Sequence, residues 1–136
     1  MRYVAPGVRT PSNIELSDER HVIRPKLRWL MMSCNANFVS SGTLSATIEE
    51  QSESVWRTTL VALEQSGMTA HDIVKLTQYL ISDEHVPLYS VIREKYLKGA
   101  TPASTLLILP RLQPSCRLVE IEIIAAKDDP DLRKKQ

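Results

Sequence analysis

The amino-acid sequence predicts a single α+β domain in which two helices cover one face of a mixed β-sheet. The chain has 136 residues, which is the usual size of one domain. Apolar side chains follow a helical or a strand pattern in the order β-β-α-β-α-β-β. Two helix–strand halves with right-handed crossovers would place both helices on one face of the sheet. Residues 1–20 predict an irregular N-terminal arm, and residues 128–136 predict a flexible polar tail.

The first two predicted strands precede the first helix. Residues 21–24 (HVIR) predict a short strand that ends at Pro25, because proline lacks the N–H that strand pairing needs. Residues 29–34 (WLMMSC) are mostly apolar and predict a largely buried strand. Asparagine, serine and glycine residues between positions 35 and 45 then predict a connection rich in turns.

The first helix has a marked beginning and end in the sequence. Thr47 and Glu50 have the spacing of a capping box, in which each side chain bonds the other residue's free backbone N–H. Apolar residues at spacings of three and four between Val55 and Leu63 predict one buried stripe. Gly67 is expected to end the helix, because glycine enters the left-handed region without strain.

A central strand and a second helix follow. Residues 73–81 (IVKLTQYLI) are rich in β-branched side chains and predict the strand. Ser82 or Asp83 is expected to cap the second helix, with Pro87 in its first turn, where the missing N–H costs nothing. Gly99 is expected to end this helix.

The last two strands are predicted at residues 105–109 (TLLIL) and 117–126. The second of them alternates with a period of two, so its two faces differ. The sheet face that the helices leave uncovered is expected to be buried in an oligomer, with its carboxylates in a cleft between chains. One face of the last strand holds Val119, Ile121, Ile123 and Ala125, and the other holds Leu118, Glu120, Glu122 and Ile124.

Composition and charge exclude several classes of protein. Hydrophobic residues make up 43% of the chain and charged residues 24%, which is typical of a folded globular protein. No apolar run approaches the roughly 18 residues of a membrane span, and the N-terminus lacks the apolar core of a secretory signal, so a cytoplasmic protein is expected. The net charge is only +1, so nucleic-acid binding, which needs a basic surface, is not expected.

Neither a metal nor a cofactor is expected from the sequence. The three histidines lack the spacing of metal ligands, and no phosphate-binding loop or dinucleotide-binding motif is present. Cys34 and Cys116 lie far apart with no CxxC motif, which predicts two free thiols. The common catalytic motifs therefore assign no function.

Five segments, taken in order, resemble those of one protein family. They are residues 50–67, which end at the glycine of the first helix, residues 72–77 (DIVKLT), Tyr96, residues 101–105 (TPAST), and the RL and VEIE sequences within residues 111–122. From about Phe38 to Lys127 the chain therefore resembles the Rid family, also called the YjgF or L-PSP family.

The resemblance implies a chorismate-mutase-like fold and a homotrimer with a small-molecule cleft between each pair of subunits. The best-known members hydrolyse reactive enamines and imines derived from amino acids in these clefts and release ammonia. An arginine in their PAR segment clamps the substrate carboxylate, and the first glutamate of VEIE is thought to position water. The resemblance therefore implies that Glu120 is the catalytic residue.

The chain departs from the family pattern within the expected site. Ser104 takes the position of the arginine, and one hydroxyl cannot replace a charged bidentate fork, so efficient hydrolysis of 2-aminoacrylate is not expected. Residues 33–35 (SCN) stand where the family has SGQ, so Cys34 replaces a glycine whose backbone approaches the ligand. Ser90 stands where asparagine is usual. Arg111 is considered as a substitute for the missing arginine. The expected substrate-binding residues are Ser33, Cys34, Ser90, Ser104 and Arg111.

Two functions therefore remain open. The chain is either a divergent Rid-type hydrolase that uses Glu120 and water, or a non-catalytic Rid-like trimer that binds a small molecule. Endoribonuclease activity, which the L-PSP label suggests, is disfavoured by the near-neutral charge. Each site residue also has a structural interpretation: Glu120 as a solvent-facing partner of Glu122, Cys34 as a small buried side chain, and Ser104 as a filler of vacated space.

Overall fold

A computed structural model describes residues 27–35, 47–113, 115–129 and 131. Over these residues the chain forms four of the five predicted strands, joined in one mixed sheet, and both predicted α-helices. The predicted arm, the strand at residues 21–24, and most of the tail and of the first connection lie outside the described residues. The elements are β1 (Leu27–Asn35), α1 (Ile48–Gln65), β2 (Ile73–Leu80), α2 (Val86–Leu97), β3 (Ala103–Ile108) and β4 (Val119–Asp128).

The sheet has the order β1-β4-β2-β3 and is mixed. β4 pairs antiparallel with both β1 and β2, whereas β2 pairs parallel with β3 through the crossover helix α2. β4 is an inner strand with an antiparallel neighbour on each side. Its residues alternate between apolar and polar because one face of such a sheet packs on the core and the other does not. The last strand of the sequence is thus inserted between the first two strands that the structure describes.

Both helices pack on the same face of the sheet and form the core with it. Trp56 and Leu63 of α1 and Tyr89 of α2 are fully buried against this face. The alternation predicted for β4 is confirmed, because Val119, Ile121, Ile123 and Ala125 are buried while the residues between them are half-buried or exposed. The residues between them point to the second face of the sheet, which neither α1 nor α2 covers.

The predicted ends of α1 are confirmed, whereas the predicted cap of α2 is wrong. That helix begins at Val86 with His85 as its N-cap, because the Ser82 hydroxyl caps the 3₁₀ turn Asp83–His85 instead. Thr47 is the N-cap of α1, and its hydroxyl accepts a hydrogen bond from the backbone N–H of Glu50 at 3.1 Å. Gly67 follows the end of that helix with a φ of 67°. At the end of α2 the left-handed conformation begins one residue before Gly99: Lys98 has a φ of 50° and Gly99 a φ of 85°.

The bounds of β4 differ from the prediction by two residues at each end. The backbone N–H of Leu118 donates to Gln51 Oε1 at 2.8 Å, so a helix side chain takes the donor that a strand ladder would use. Gln51 Nε2 also donates to the carbonyl oxygen of Cys116 at 3.0 Å. These two bonds hold the preceding loop against α1, and β4 begins at Val119 and runs on to pair Asp128 with Leu27.

None of the helices in the described part of the chain has the length and hydropathy that would let it span a lipid bilayer.

Candidate functional site

Polar side chains gather on the sheet face that neither α1 nor α2 covers, called here the open sheet face. Register places Ser33 of β1 opposite Glu122, and Tyr79 of β2 opposite Glu120, on the two sides of β4. Since successive strand residues point to opposite faces, all of these side chains lie on one face. The open sheet face comprises Trp29, Met31, Ser33, Lys75, Thr77, Tyr79, Thr105, Leu107, Glu120, Glu122 and Ile124.

Two carboxylates on this face are oriented by hydroxyl groups. Ser33 Oγ donates to Glu120 Oε1 at 3.0 Å, and the Tyr79 hydroxyl donates to Glu122 Oε2 at 3.2 Å. Desolvation and then the charge of Glu122 raise the pKa of Tyr79, so this phenol remains a donor. Because Ser33 holds one oxygen of Glu120, the other oxygen can accept a hydrogen bond from water. The pair of Glu120 with Ser33 can therefore orient a water molecule above the sheet.

Ser104 points to the opposite face of the sheet, towards α2. Its Oγ accepts a hydrogen bond from Gln78 Nε2 at 2.7 Å, and Gln78 is fully buried. Gln78 Oε1 accepts from the Tyr89 hydroxyl at 2.8 Å and from Arg93 Nη1 at 3.2 Å. Burial raises the pKa of Tyr89, so its hydroxyl stays protonated and donates. Ser104 therefore belongs to a polar network between the sheet and α2.

A solvent-accessible cavity of about 240 Å³ lies beside this network. It is formed by the C-terminal half of α2, the loop that follows, and the start of β3. Its polar lining comes from Arg93, Glu94, Thr101 and Ser104, and its apolar lining from Leu97, Ala100 and Pro102. Within a single chain, the cavity and Glu120 are therefore separated by the sheet.

The other predicted site residues occupy different places. Cys34 points into the core against α1, where its Sγ donates to the Val55 carbonyl oxygen at 3.5 Å. Burial raises the pKa of this thiol, which disfavours a reactive thiolate. Ser90 is half-buried on α2, and Arg111 is exposed in the loop after β3 and does not line the cavity beside Ser104.

Neither Gln78 nor Arg93 is among the site residues that the sequence predicts. In β2 the period of two places Gln78 on the same face as Leu76 and Leu80, which indicates a buried amide but does not identify its partners. Arg93 follows the buried Ile92 on α2 and has the spacing of a solvent-facing arginine. The same period of two places residues 75, 77 and 79 on the other face of β2. Tyr79 could therefore have been predicted on the face opposite to Gln78.

Comparisons with known proteins agree with this architecture. The family model described as Endoribonuclease L-PSP matches residues 22–127. A candidate endoribonuclease of known structure from Thermotoga maritima is 25% identical with a TM-score of 0.66, over 76% of this chain and 80% of its own. A member of the YjgF/YER057c/UK114 family from Mycobacterium tuberculosis is 20% identical with a TM-score of 0.63, over 74% and 79%. The Rid family protein YyfA from Yersinia pestis is 31% identical with a TM-score of 0.59, over 64% and 70%.

No curated protein matches the chain by sequence. The family match nevertheless covers both helices and the four described strands as far as Lys127. The solved structures have the same fold, including those whose sequences are only distantly similar. Because the match extends over far more than half of its residues, the chain belongs to the Endoribonuclease L-PSP family, also known as the YjgF or Rid family.

Proposed function

We propose that the chain is a divergent Rid-type hydrolase that converts a small imine or enamine into a carbonyl compound and ammonia. The observation that carries this proposal is the hydrogen bond from Ser33 to Glu120 on the open sheet face. In the reaction, Glu120 accepts a proton as water adds to the imine carbon. Glu120 then returns this proton to the nitrogen, which gives a carbinolamine. The hydroxyl proton of the carbinolamine also moves to nitrogen as the carbon–nitrogen bond breaks, so nitrogen leaves as ammonia and the carbon keeps the oxygen as a carbonyl group. An enamine enters this sequence as its imine tautomer.

The site is proposed to be completed by other copies of the chain in a homotrimer. The open sheet face carries Trp29 and Met31, whose side chains are 54% and 71% exposed. Apolar side chains of this size beside carboxylates favour a buried interface with a polar cleft at its rim. Trimer assembly would exclude bulk water from Glu120 and strengthen its interactions with substrate.

The serine at position 104 supports the proposal that the substrate is not 2-aminoacrylate. It takes the position of the family's carboxylate-clamping arginine, and its hydroxyl is bound to Gln78 within the same chain. A hydroxyl group contributes one neutral hydrogen bond, whereas an arginine contributes a charge-assisted pair. We therefore expect slow turnover of 2-aminoacrylate and faster turnover of neutral or bulkier imines.

The decisive experiment is to measure ammonia release from neutral and carboxylate-bearing imines, with and without the protein. The wild-type chain should accelerate hydrolysis of the neutral imines. The Glu120→Gln variant should lose about a hundredfold or more of that rate, because glutamine cannot accept the proton. Glu64→Gln, on an exposed part of α1, serves as the matched control and should keep the wild-type rate.

A second candidate function is ligand binding without chemistry, and the loss of the family arginine at Ser104 favours it. Saturable binding of a small molecule with no ammonia release from any imine would contradict the hydrolase and support this alternative. Cleavage of RNA that persists through purification would instead support the endoribonuclease activity that the family name suggests. The net charge of +1 argues against that outcome.

A further inference from the structure

A shallow groove on the open sheet face runs between β1 and β4 and has a volume of about 290 Å³. The lining residues whose side chains point to this face are Ser33, Glu122, Met31 and Ile124. Strand register places them in two opposed pairs, one polar and one apolar, so the groove has a polar end and an apolar end. The polar end adjoins Glu120, because the Ser33 hydroxyl is bonded to that carboxylate.

The polar atoms of the groove can accept hydrogen bonds but have no proton left to donate. A carboxylate cannot donate, so Ser33 gives its hydroxyl proton to Glu120 and keeps only lone pairs for a ligand. For the same reason Tyr79 gives its proton to Oε2 of Glu122. The other oxygen, Oε1, receives no hydrogen bond from the described residues. A ligand of this end must therefore supply the donors.

The charges on the open sheet face favour a cationic group over an anion. The face has two carboxylates, Glu120 and Glu122, and neither forms an ion pair with any of the described residues. Among the described residues of this face only Lys75 is cationic, and its Nζ donates to Thr105 Oγ1 at 2.7 Å. An ammonium group would bring both the donors and the positive charge that Glu122 can bind. An anion would bring neither.

We propose that the groove holds the nitrogen and the alkyl chain of the substrate, with Glu122 accepting hydrogen bonds from the nitrogen. The inference rests on the proposed hydrolase and narrows its substrate to an alkyl imine without a carboxylate group. Nitrogen gains two protons before it leaves as ammonia, so donors and positive charge build up next to Glu122. Met31 and Ile124 would contact the alkyl chain, and another copy of the chain in the proposed trimer would close the groove.

Binding is measured without turnover by comparing propylammonium with 1-propanol, which has nearly the same shape and no charge. The backbone amide signals of Ser33 and Glu122 in nuclear magnetic resonance titrations report binding in the groove itself. Propylammonium should shift both signals in a saturable way, and 1-propanol should bind at least about tenfold more weakly. Equal binding of the two probes, or binding of neither, would overturn the inference. Ammonia release from alkyl imines would then still support the hydrolase.

Two substitutions on the open sheet face should change propylammonium affinity in opposite directions. Glu122→Gln should weaken binding about tenfold and leave 1-propanol binding unchanged, because the side chain loses its charge but keeps its shape. Lys75→Met should strengthen binding about twofold, because it removes a like charge from the same face. Glu64→Gln changes another exposed glutamate, on α1, and is the matched control that should keep the wild-type affinity. Unchanged 1-propanol binding shows that Glu122→Gln keeps the groove folded.

Ammonia release from butanimine links the groove to the reaction. Glu122→Gln should slow this release about tenfold, whereas Glu120→Gln should slow it about a hundredfold or more, because Glu122 holds the nitrogen and Glu120 moves the proton. A wild-type rate in Glu122→Gln would overturn the inference. Propylammonium binding that depends on Glu122, without ammonia release from any imine, would support the groove and contradict only the hydrolase.

Discussion

Gln78 is the residue that couples the sheet to α2 by hydrogen bonds. It lies in the central strand β2 with no exposed surface, yet both ends of its amide are bonded. The oxygen accepts from Tyr89 and Arg93, and the nitrogen donates to Ser104 Oγ and to the carbonyl oxygen of Thr105 at 3.1 Å. A buried amide is tolerated only when it is satisfied in this way.

Replacing Gln78 with methionine is expected to lower the free energy of unfolding by about 2 kcal/mol, because the buried hydroxyl of Tyr89 loses its acceptor. Denaturation by urea measures the change. The double variant Gln78→Met/Tyr89→Phe should recover part of the loss, since both buried polar partners are then absent. Gln65→Met, at the exposed end of α1, is the control. Equal stability of Gln78→Met and the wild type would refute a structural role for this amide.

At the scale of elements, short polar signals set where helices begin. Thr47 caps α1, and Ser82 caps a short 3₁₀ turn, Asp83–His85, that leads directly into α2. Ahead of β2, Thr69 and Asp72 form a complete capping box around another 3₁₀ turn, with the Thr69 N–H donating to Asp72 Oδ2 at 2.8 Å. Each cap satisfies backbone donors that have no partner inside the helix.

The Thr47→Ala variant is expected to lose about 1 kcal/mol of unfolding free energy, because the Glu50 N–H loses its acceptor. Thr47→Ser keeps a hydroxyl at the N-cap and should stay within a few tenths of a kcal/mol of the wild type. The measurement is again urea denaturation, with both variants in the same buffer. A loss of the same size in Thr47→Ser would show that packing of the methyl group, and not the cap, is responsible.

For the molecule as a whole, the main feature is the contrast between the two faces of the sheet. One face is covered by α1 and α2, and the other presents large apolar side chains together with Glu120 and Glu122. An exposed apolar face of this kind favours self-association, because burying it removes apolar surface from water. The proposed trimer would cover this face.

Met31→Lys is therefore expected to shift the chain from trimer to monomer, because a lysine ammonium would be buried in the interface. Val91→Lys is a matched control, since Val91 on α2 is 69% exposed compared with 71% for Met31. Sedimentation equilibrium should give a trimer for the wild type and for Val91→Lys. Finding the wild-type chain as a monomer, or finding that Val91→Lys alone dissociates, would contradict this arrangement.

Much of the fold could be predicted from local patterns. The cap at Thr47, the stop at Gly67 and the alternation from Val119 to Ala125 all act over a few residues, so one sequence contains the necessary information. The start of β4 could not be predicted in the same way, because it depends on Gln51, which lies in α1, far from β4 in the sequence.

The site was predictable only in part. Glu120 and Ser33 could be expected near each other from the family pattern, and the structure brings them into contact. The sequence could not predict that Arg93 and Ser104 line the same cavity, because their proximity depends on the parallel pairing of β2 with β3 and on the packing of α2 above these strands. The sequence alone determined the elements, their ends and the family resemblance, because caps and periodicity are local properties. Only the tertiary structure decided that Glu120 and Ser104 lie on opposite faces of the sheet within one chain, because strand register and helix packing set which distant side chains meet.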